Sequence, residues 1–326
     1  MNRPRIAVTL GDPAGIGPEL VAKVLSRPGV LDRAEVYLLA DRSEVEQAFV
    51  DAGLPMLPDG DPAPGRVTIL DDGTAPATPV PRGEVGTAAG ARAMHQLTRA
   101  IELVKRGEAG AIMFAPLNKT SLHLAGMHEE DELRWFAKQL EFDGTTSELN
   151  VLGELWTARV TSHVPISAVA ERVTAPNVTA AIRLLHDVLR DAGYTPRLGV
   201  CALNPHNGEN GNFGREEIDE IRPGVEAARA EGIDVQGPFP SDTIFLAARR
   251  GDFNGIVTMY HDQGQIAMKL LGFSGGVTIQ GGLPVAITTP AHGTAFEIVG
   301  QGVADPTSTN NAFDIAVSVA ASRLQN

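Results

Sequence analysis

The chain has 326 residues, 43% of them apolar and 21% charged, enough for two globular domains each with its own core. A formal charge of -13 argues against nucleic acid or an anionic membrane as partner, since either demands a basic face, but it leaves room for a locally basic pocket around an anionic metabolite. One cysteine, Cys201, excludes an internal disulfide framework, and no run approaches the ~20 apolar residues of a bilayer span, so a soluble cytoplasmic protein is expected.

Ile6–Leu10 reads as a first strand, closed by the glycine-rich turn Gly11-Asp-Pro-Ala-Gly-Ile-Gly-Pro-Glu19. Pro18 suits the first turn of a helix to about Ser26, and Glu19 complements its positive end. Val36–Ala40 predicts a strand, and Ser43-Glu-Val-Glu46 has the form of a capping box for a helix to about Gly53. A strand over Val67–Leu70 leads to a long Pro/Gly/Thr-rich loop, a helix over Gly86–Arg106, and a strand over Ala111–Ala115 that ends in Pro116-Leu-Asn-Lys119. Helices follow, including a charged one over Glu129–Leu140. Further strands are predicted at Asn150–Leu152, Thr157–Ser162, Arg197–Leu203, Gly255–Tyr260, Val277–Ile279 and Val285–Thr288. Helices are predicted over Asn177–Ala192, Arg215–Ala230, Thr243–Arg250 (with Ser241-Asp242 as N-cap), Gln263 onward, and Ser308–Leu324. Strands alternating with helices predict mostly parallel sheets covered by helices. Cys201 sits in a strand-like run and reads as a buried, inert thiol.

Three histidines, His163, His206 and His261, each follow an apolar strand closely. Ligands of open α/β sheets bind beyond the carboxyl ends of the strands, and three neutral imidazoles with an open coordination position suit a divalent cation. The plain alternative is three surface or structural histidines, because the spacings are long and no local motif such as H-E-x-x-H is present. The glycine turn 11–19 either presents backbone N–H groups and a helix start to an anion or is simply a tight packing turn; it is not the G-x-G-x-x-G pattern. Lys119 and Lys269 are each able to hold a carboxylate or phosphate or to move a proton, against the ordinary reading of a solvated lysine; the apolar neighbours of Lys269 favour function. Asp262 suits the role of partner to an imidazole. In the charged run His128–Arg134 only Arg134 is a candidate for substrate. His292-Gly-Thr-Ala295 and Gly300–Pro306 form a second glycine-containing loop, or a mere connection.

Together, Gly11–Glu19, Pro116–Lys119, Thr161-Ser-His163-Val-Pro, Leu203-Asn-Pro-His206, Pro240-Ser-Asp-Thr243, Tyr260-His-Asp-Gln-Gly264, Leu270-Leu-Gly-Phe273 and His292–Ala295 resemble, in order and over nearly the whole chain, the 4-hydroxythreonine-4-phosphate dehydrogenase (PdxA) family. The last segment is also similar, more distantly, to isocitrate and isopropylmalate dehydrogenases.

The resemblance implies two α/β/α domains with mostly parallel sheets, isopropylmalate dehydrogenase-like, with the active site in the interdomain cleft. The domains are expected at 1–125 plus 290–326 and at 126–289. It implies a homodimer with a shared site and a divalent metal (Zn, Mg, Co or Mn) on His163 and His206 of one subunit and His261 of the other. It implies NAD or NADP held at Gly15, Gly17, His292, Gly293, Thr294 and Asp305, with Lys269 and Asp242 in catalysis. The implied reaction is oxidation of a secondary alcohol followed by decarboxylation. The chain departs from the family where Asp131-Glu-Leu-Arg134 replaces Gly-His-Thr-Glu, and where Thr278 and Ile287 replace Asn and Arg. Because acid in a pocket repels a phosphate dianion, these departures lead to the expectation of a non-phosphorylated hydroxycarboxylate, such as a carboxylated cyclohexadiene diol, contacted by Lys269, Arg134, Lys119 and Thr278. Alternatives are 4-hydroxythreonine-4-phosphate or a sugar-acid phosphate as substrate, a three-histidine metal lyase or hydrolase without nicotinamide, and a non-catalytic binding module.

Overall fold

The structure, a computed structural model, describes residues 3–272 and 274–324; Phe273, the end of the Leu270–Phe273 motif, lies outside them. In chain order the strands are β1 (Arg5–Thr9), β2 (Glu35–Leu39), β3 (Val67–Ile69), β4 (Ala111–Phe114), β5 (Ser147–Leu152), β6 (Leu155–Arg159), β7 (Leu198–Cys201), β8 (Val235–Phe239), β9 (Gly255–Thr258), β10 (Val277–Gly281) and β11 (Ala286–Pro290). Helices separate most of them, giving the α/β fold that the alternation predicts. The chain divides into two compact units, Met1–Asp143 with Leu283–Asn326, and Gly144–Gly282.

Both divisions fall away from the expected 125/126 and 289/290. The helix Glu132–Gln139 looks charged in sequence, yet Leu133, Trp135 and Phe136 are buried with Ala7, Leu97 and Phe114 in the core of the first unit. At the other end β11 pairs in parallel with β4 and so belongs to the same unit.

In the first unit the order is β3-β2-β1-β4-β11, and every pairing is parallel. Strands covered on both faces require continuous apolar sequence, and β4 is buried at each residue. The helix predicted from Ser43 starts two residues earlier: its N-cap is Asp41, it spans Arg42–Ala52, and the capping box is made by Asp41 and Glu44. β1 has β2 on one side and β4 on the other. The loops after β1 and β4 therefore meet, with Asp12 N–H donating to the Pro116 carbonyl at 2.9 Å. Such a reversal of strand order is where open sheets take ligands.

In the second unit the order is β10-β5-β6-β9-β7-β8; β5 is antiparallel to β10 and β6, and the rest pair in parallel. β8 is not visible as a strand in the sequence, because Gln236-Gly-Pro238 interrupts its apolar run. The single helix expected over Arg215–Ala230 is a π-helical turn, Glu217–Ile221, running into an α-helix, Arg222–Ala230. Pro223, which has no N–H to give back to the preceding turn, marks the change of pitch. Cys201 is fully buried, and burial pushes its thiol well above its ordinary value, so it is unreactive. Among the described residues no helix is long and apolar enough to cross a membrane.

Candidate functional site

The three histidines follow β6, β9 and β7, which are adjacent parallel strands of the second unit, so all three stand at one carboxyl edge. Backbone bonds carry the chain from the strands to the histidines: Val160 N–H donates to the Thr258 carbonyl (2.8 Å), and Thr161 Oγ1 to the Met259 carbonyl (2.8 Å). The helix after β9 begins at His261 itself and spans His261–Leu271. Gln263 fastens it, accepting from Met259 N–H at 2.7 Å and donating to the Ala202 carbonyl beside β7 at 2.8 Å.

The rings of His163 and His261 lie 5.5 Å apart, centroid to centroid. Both line a cavity of about 340 Å³ with Thr161, Tyr260 and Asp262. His261 Nδ1 is hydrogen-bonded to Asp262 Oδ1 at 2.6 Å, which turns the Nε2 lone pair outward, the usual arrangement of a metal-binding imidazole. The donor chemistry therefore fits a divalent cation. The pair differs from the expected one, His163 with His206 and with His261 from a second subunit: within one chain His206 stands apart, its ring 6.3 Å from that of Phe213. Among the described residues of one chain, no three His, Cys, Asp or Glu side chains gather into a metal cluster.

The glycine turn and the His292–Pro306 loop form a second assembly, within the first unit. Ile16 N–H donates to the Thr294 carbonyl at 3.0 Å. Gly15 is required here, since a Cβ would lie 2.7 Å from Thr294 Cβ. Glu19 does more than complement its helix: buried, it accepts from Ala304 N–H at 2.8 Å and from Lys23 at 2.7 Å. Lys23 also donates to the carbonyls of Gly302 and Ala304. Sequence reasoning missed Lys23, whose only signal is its place one turn after Glu19. Asp305 accepts from Thr307 N–H and Oγ1 (3.0 and 2.6 Å), which hold its carboxyl below the usual range and fix it at the start of the helix Thr307–Arg323. His292 Nε2 and, in that helix, Asn310 Oδ1 are buried without a partner among the described residues. Buried polar atoms are rarely left so unless a ligand or water satisfies them; with Nδ1 donating to the Gly293 carbonyl, both orphans are acceptors and suit donor groups such as the hydroxyls or amino group of an adenosine. Asp12 is buried as well. Its Oδ1 accepts from Ala14 N–H (2.8 Å), its Oδ2 has no partner among the described residues, and burial pushes its carboxyl above the ordinary value against the opposing bonds from Ala14 and Ser121.

The remaining residues are dispersed. Asp242 is not an N-cap; it is exposed in the first turn of Ser241–Arg249, which follows Pro240. Lys269 is exposed near the end of His261–Leu271. Thr278, on β10, accepts from Asn150 Nδ2 at 3.5 Å. Arg134 is exposed, with its N–H donating to the capping carboxylate of Asp131. Lys119 opens a short helix and lies 3.8 Å from Glu132.

A profile of the family described as "Pyridoxal phosphate biosynthetic protein PdxA" matches residues 32–316. A relative from Pseudomonas aeruginosa, provisionally named 4-hydroxythreonine-4-phosphate dehydrogenase 2, is 51% identical over 327 residues, 96% of each chain. The D-threonate 4-phosphate dehydrogenase of Cupriavidus necator is 38% identical over 329 residues, 98% of each. The crystal structure of a 4-hydroxythreonine-4-phosphate dehydrogenase from Burkholderia phymatum superposes with a TM-score of 0.82 at 36% identity, covering 98% of this chain and 99% of that one.

These relatives are named for phosphorylated substrates, which overturns the expectation of a non-phosphorylated hydroxycarboxylate. Two of the departures behind that expectation carry less weight in their tertiary surroundings. Glu132, counted as a repulsive acid, has Lys119 beside it. Ile287, counted as a lost phosphate ligand, is fully buried in the apolar core of the first unit. With a profile match over most of its length and near-complete coverage by these dehydrogenases, the chain belongs to the PdxA family.

Proposed function

We propose that the chain is a nicotinamide- and divalent-metal-dependent dehydrogenase that oxidises the secondary alcohol of a short phosphorylated hydroxy acid, of the class represented by 4-hydroxythreonine 4-phosphate and D-threonate 4-phosphate. The observation that carries the reading is the paired His163 and His261 at the carboxyl edge of β6 and β9, in a chain whose relatives are named for these substrates along nearly its full length.

His163, His206 and His261 would hold the metal. A metal held there would supply Lewis acidity toward the substrate alcohol and the charge that develops on its oxygen. NAD or NADP, when bound, would supply the hydride acceptor. Gly15 and Gly17 let the turn pack against Thr294 and the Leu10 carbonyl and so support the loop of His292, Gly293, Thr294 and Asp305, which is proposed to hold the adenosine part. Asp262 fixes the tautomer of His261. Lys269 binds the carboxylate or phosphate of the substrate and returns a proton after CO₂ leaves the β-keto acid that the oxidation produces. Lys119, Arg134 and Thr278 are further substrate contacts, and Asp242 assists proton transfer.

The active form is proposed to be a homodimer. Leu270 is 83% exposed and Ile266 60% exposed on the His261 helix, and Ile166, close to His163, is 70% exposed. Apolar side chains so placed call for a cover, and two imidazoles leave coordination positions for donors from a second copy.

Calorimetric titration of the metal-loaded protein with NAD and with NADP tests the reading. Saturable binding of one of them is expected, and binding of neither would overturn it.

A further inference from the structure

His206 stands on unusual backbone. From His206 to Asn210 five consecutive residues adopt the left-handed helical region, with φ of 53°, 59°, 75°, 45° and 55°. Only Gly208 among them is glycine. Side-chain-bearing residues visit this region singly, because Cβ crowds the following carbonyl, and a run of them persists only where the surroundings impose it.

The buried group nearest the start of this run is Glu217. This carboxylate is 0% exposed and opens the π-helical turn Glu217–Ile221, a rare geometry that aims side chains differently from an α-turn. Its Oε1 accepts from Leu203 N–H at 2.8 Å and Asn204 N–H at 2.7 Å, the two residues that enter the left-handed run. Its Oε2 accepts from Asn204 Nδ2 at 3.0 Å, and Asn204 Nδ2 also donates to Glu216 Oε2 at 2.6 Å. The same Oε2 faces Gly208, where a Cβ would come within 2.7 Å of it. Phe213 N–H closes the loop on the Gly208 carbonyl at 3.1 Å. One buried carboxylate thus holds the chain at Leu203 and Asn204, just before the left-handed turn, and leaves room only for glycine at Gly208 in its middle.

We infer that Glu217 is the positioning residue of the metal centre. By holding the left-handed turn 206–210 it fixes where the His206 imidazole is presented, and it does so without touching metal or substrate. The inference rests on the proposed reading of His206 as a metal ligand. Neither the family resemblance nor the histidine pattern singles Glu217 out.

The test measures zinc affinity of the full-length protein by competition with a chromophoric chelator, alongside thermal melting and NAD binding. His206→Ala checks the underlying reading: it is expected to lose zinc affinity, and if it binds zinc as the wild type does, His206 is no ligand and the inference falls with it. Glu217→Gln keeps the shape but sets an amide N–H₂ against Asn204 Nδ2. Loss of a support behind a metal ligand weakens binding about 10–100-fold, and that loss is expected here with NAD binding unchanged. Should Glu217→Gln fail to fold, Gly208→Ala strains the same contact from the other side and is expected to weaken zinc in the same way. If His206→Ala loses zinc while the folded Glu217→Gln or Gly208→Ala variant keeps wild-type affinity and merely melts earlier, Glu217 is a structural residue only and the inference is wrong.

Discussion

At the scale of single residues, Gly15 and Asp12 bear the most exact demands. A methyl group at Gly15 would stand 2.7 Å from Thr294 Cβ and 2.8 Å from the Thr294 carbonyl, closer than any real Cβ contact. Gly15→Ala is therefore expected to displace the His292–Thr294 loop at a cost of about 1–3 kcal/mol, the usual range for overpacking, with NAD affinity falling alongside; melting and cofactor titration of one preparation check both. Asp12 carries a pH signature. Its carboxyl is raised by burial, so the folded state holds the proton more tightly than the unfolded chain. This contribution to stability is complete below the unfolded carboxyl range and is lost as pH rises through the raised value. Denaturant unfolding across that interval should show the decline in the wild type and its disappearance in Asp12→Asn, which keeps an acceptor for Ala14 N–H. Equal pH slopes for the two proteins would exclude Asp12 as the source.

At the scale of elements, much was legible and the failures have physical causes. Strands buried on both faces need largely apolar sequence, so β1, β4, β6, β7 and β9 stand out, and with the last three the strand-end positions of His163, His206 and His261. β8 did not, because Gly237 and Pro238 look like a turn when read locally. The helix Glu132–Gln139 misled in the other direction: its charges dominate the local pattern, while Leu133, Trp135 and Phe136 decide which core it joins. The left-handed run 206–210 is beyond local reading, since Asn and Gly hint at positive φ but the bonds from Leu203 and Asn204 to the distant Glu217 leave no local mark. The helix His261–Leu271 also carries the clearest prediction about assembly. Leu270→Glu puts charge on its most exposed apolar position and is expected to shift the protein from dimer to monomer in sedimentation velocity. A wild type already monomeric at micromolar concentration would show that no second copy covers this face.

At the scale of the whole molecule, substrate class was the least legible property. Substitutions at family positions looked like the loss of a phosphate site, yet their weight depended on tertiary surroundings that sequence does not display. Glu132 has Lys119 3.8 Å away, and Ile287 is packed into a core. The cations proposed to meet an anionic substrate, Lys119, Arg134 and Lys269, lie on three different helices, so no local motif announces them. Full-length similarity to enzymes named for phosphorylated four-carbon acids outweighs the local departures. The most direct measurement is NADH or NADPH formation by the metal-loaded protein on 4-hydroxythreonine 4-phosphate and D-threonate 4-phosphate, each beside its dephosphorylated form. The account predicts turnover of at least one phosphorylated acid, abolished by chelation, with kcat/KM at least about tenfold above its dephosphorylated form, the factor set by ~1.4 kcal/mol of phosphate recognition. Equal or faster turnover of the dephosphorylated acids, or none of the phosphorylated ones, would contradict it.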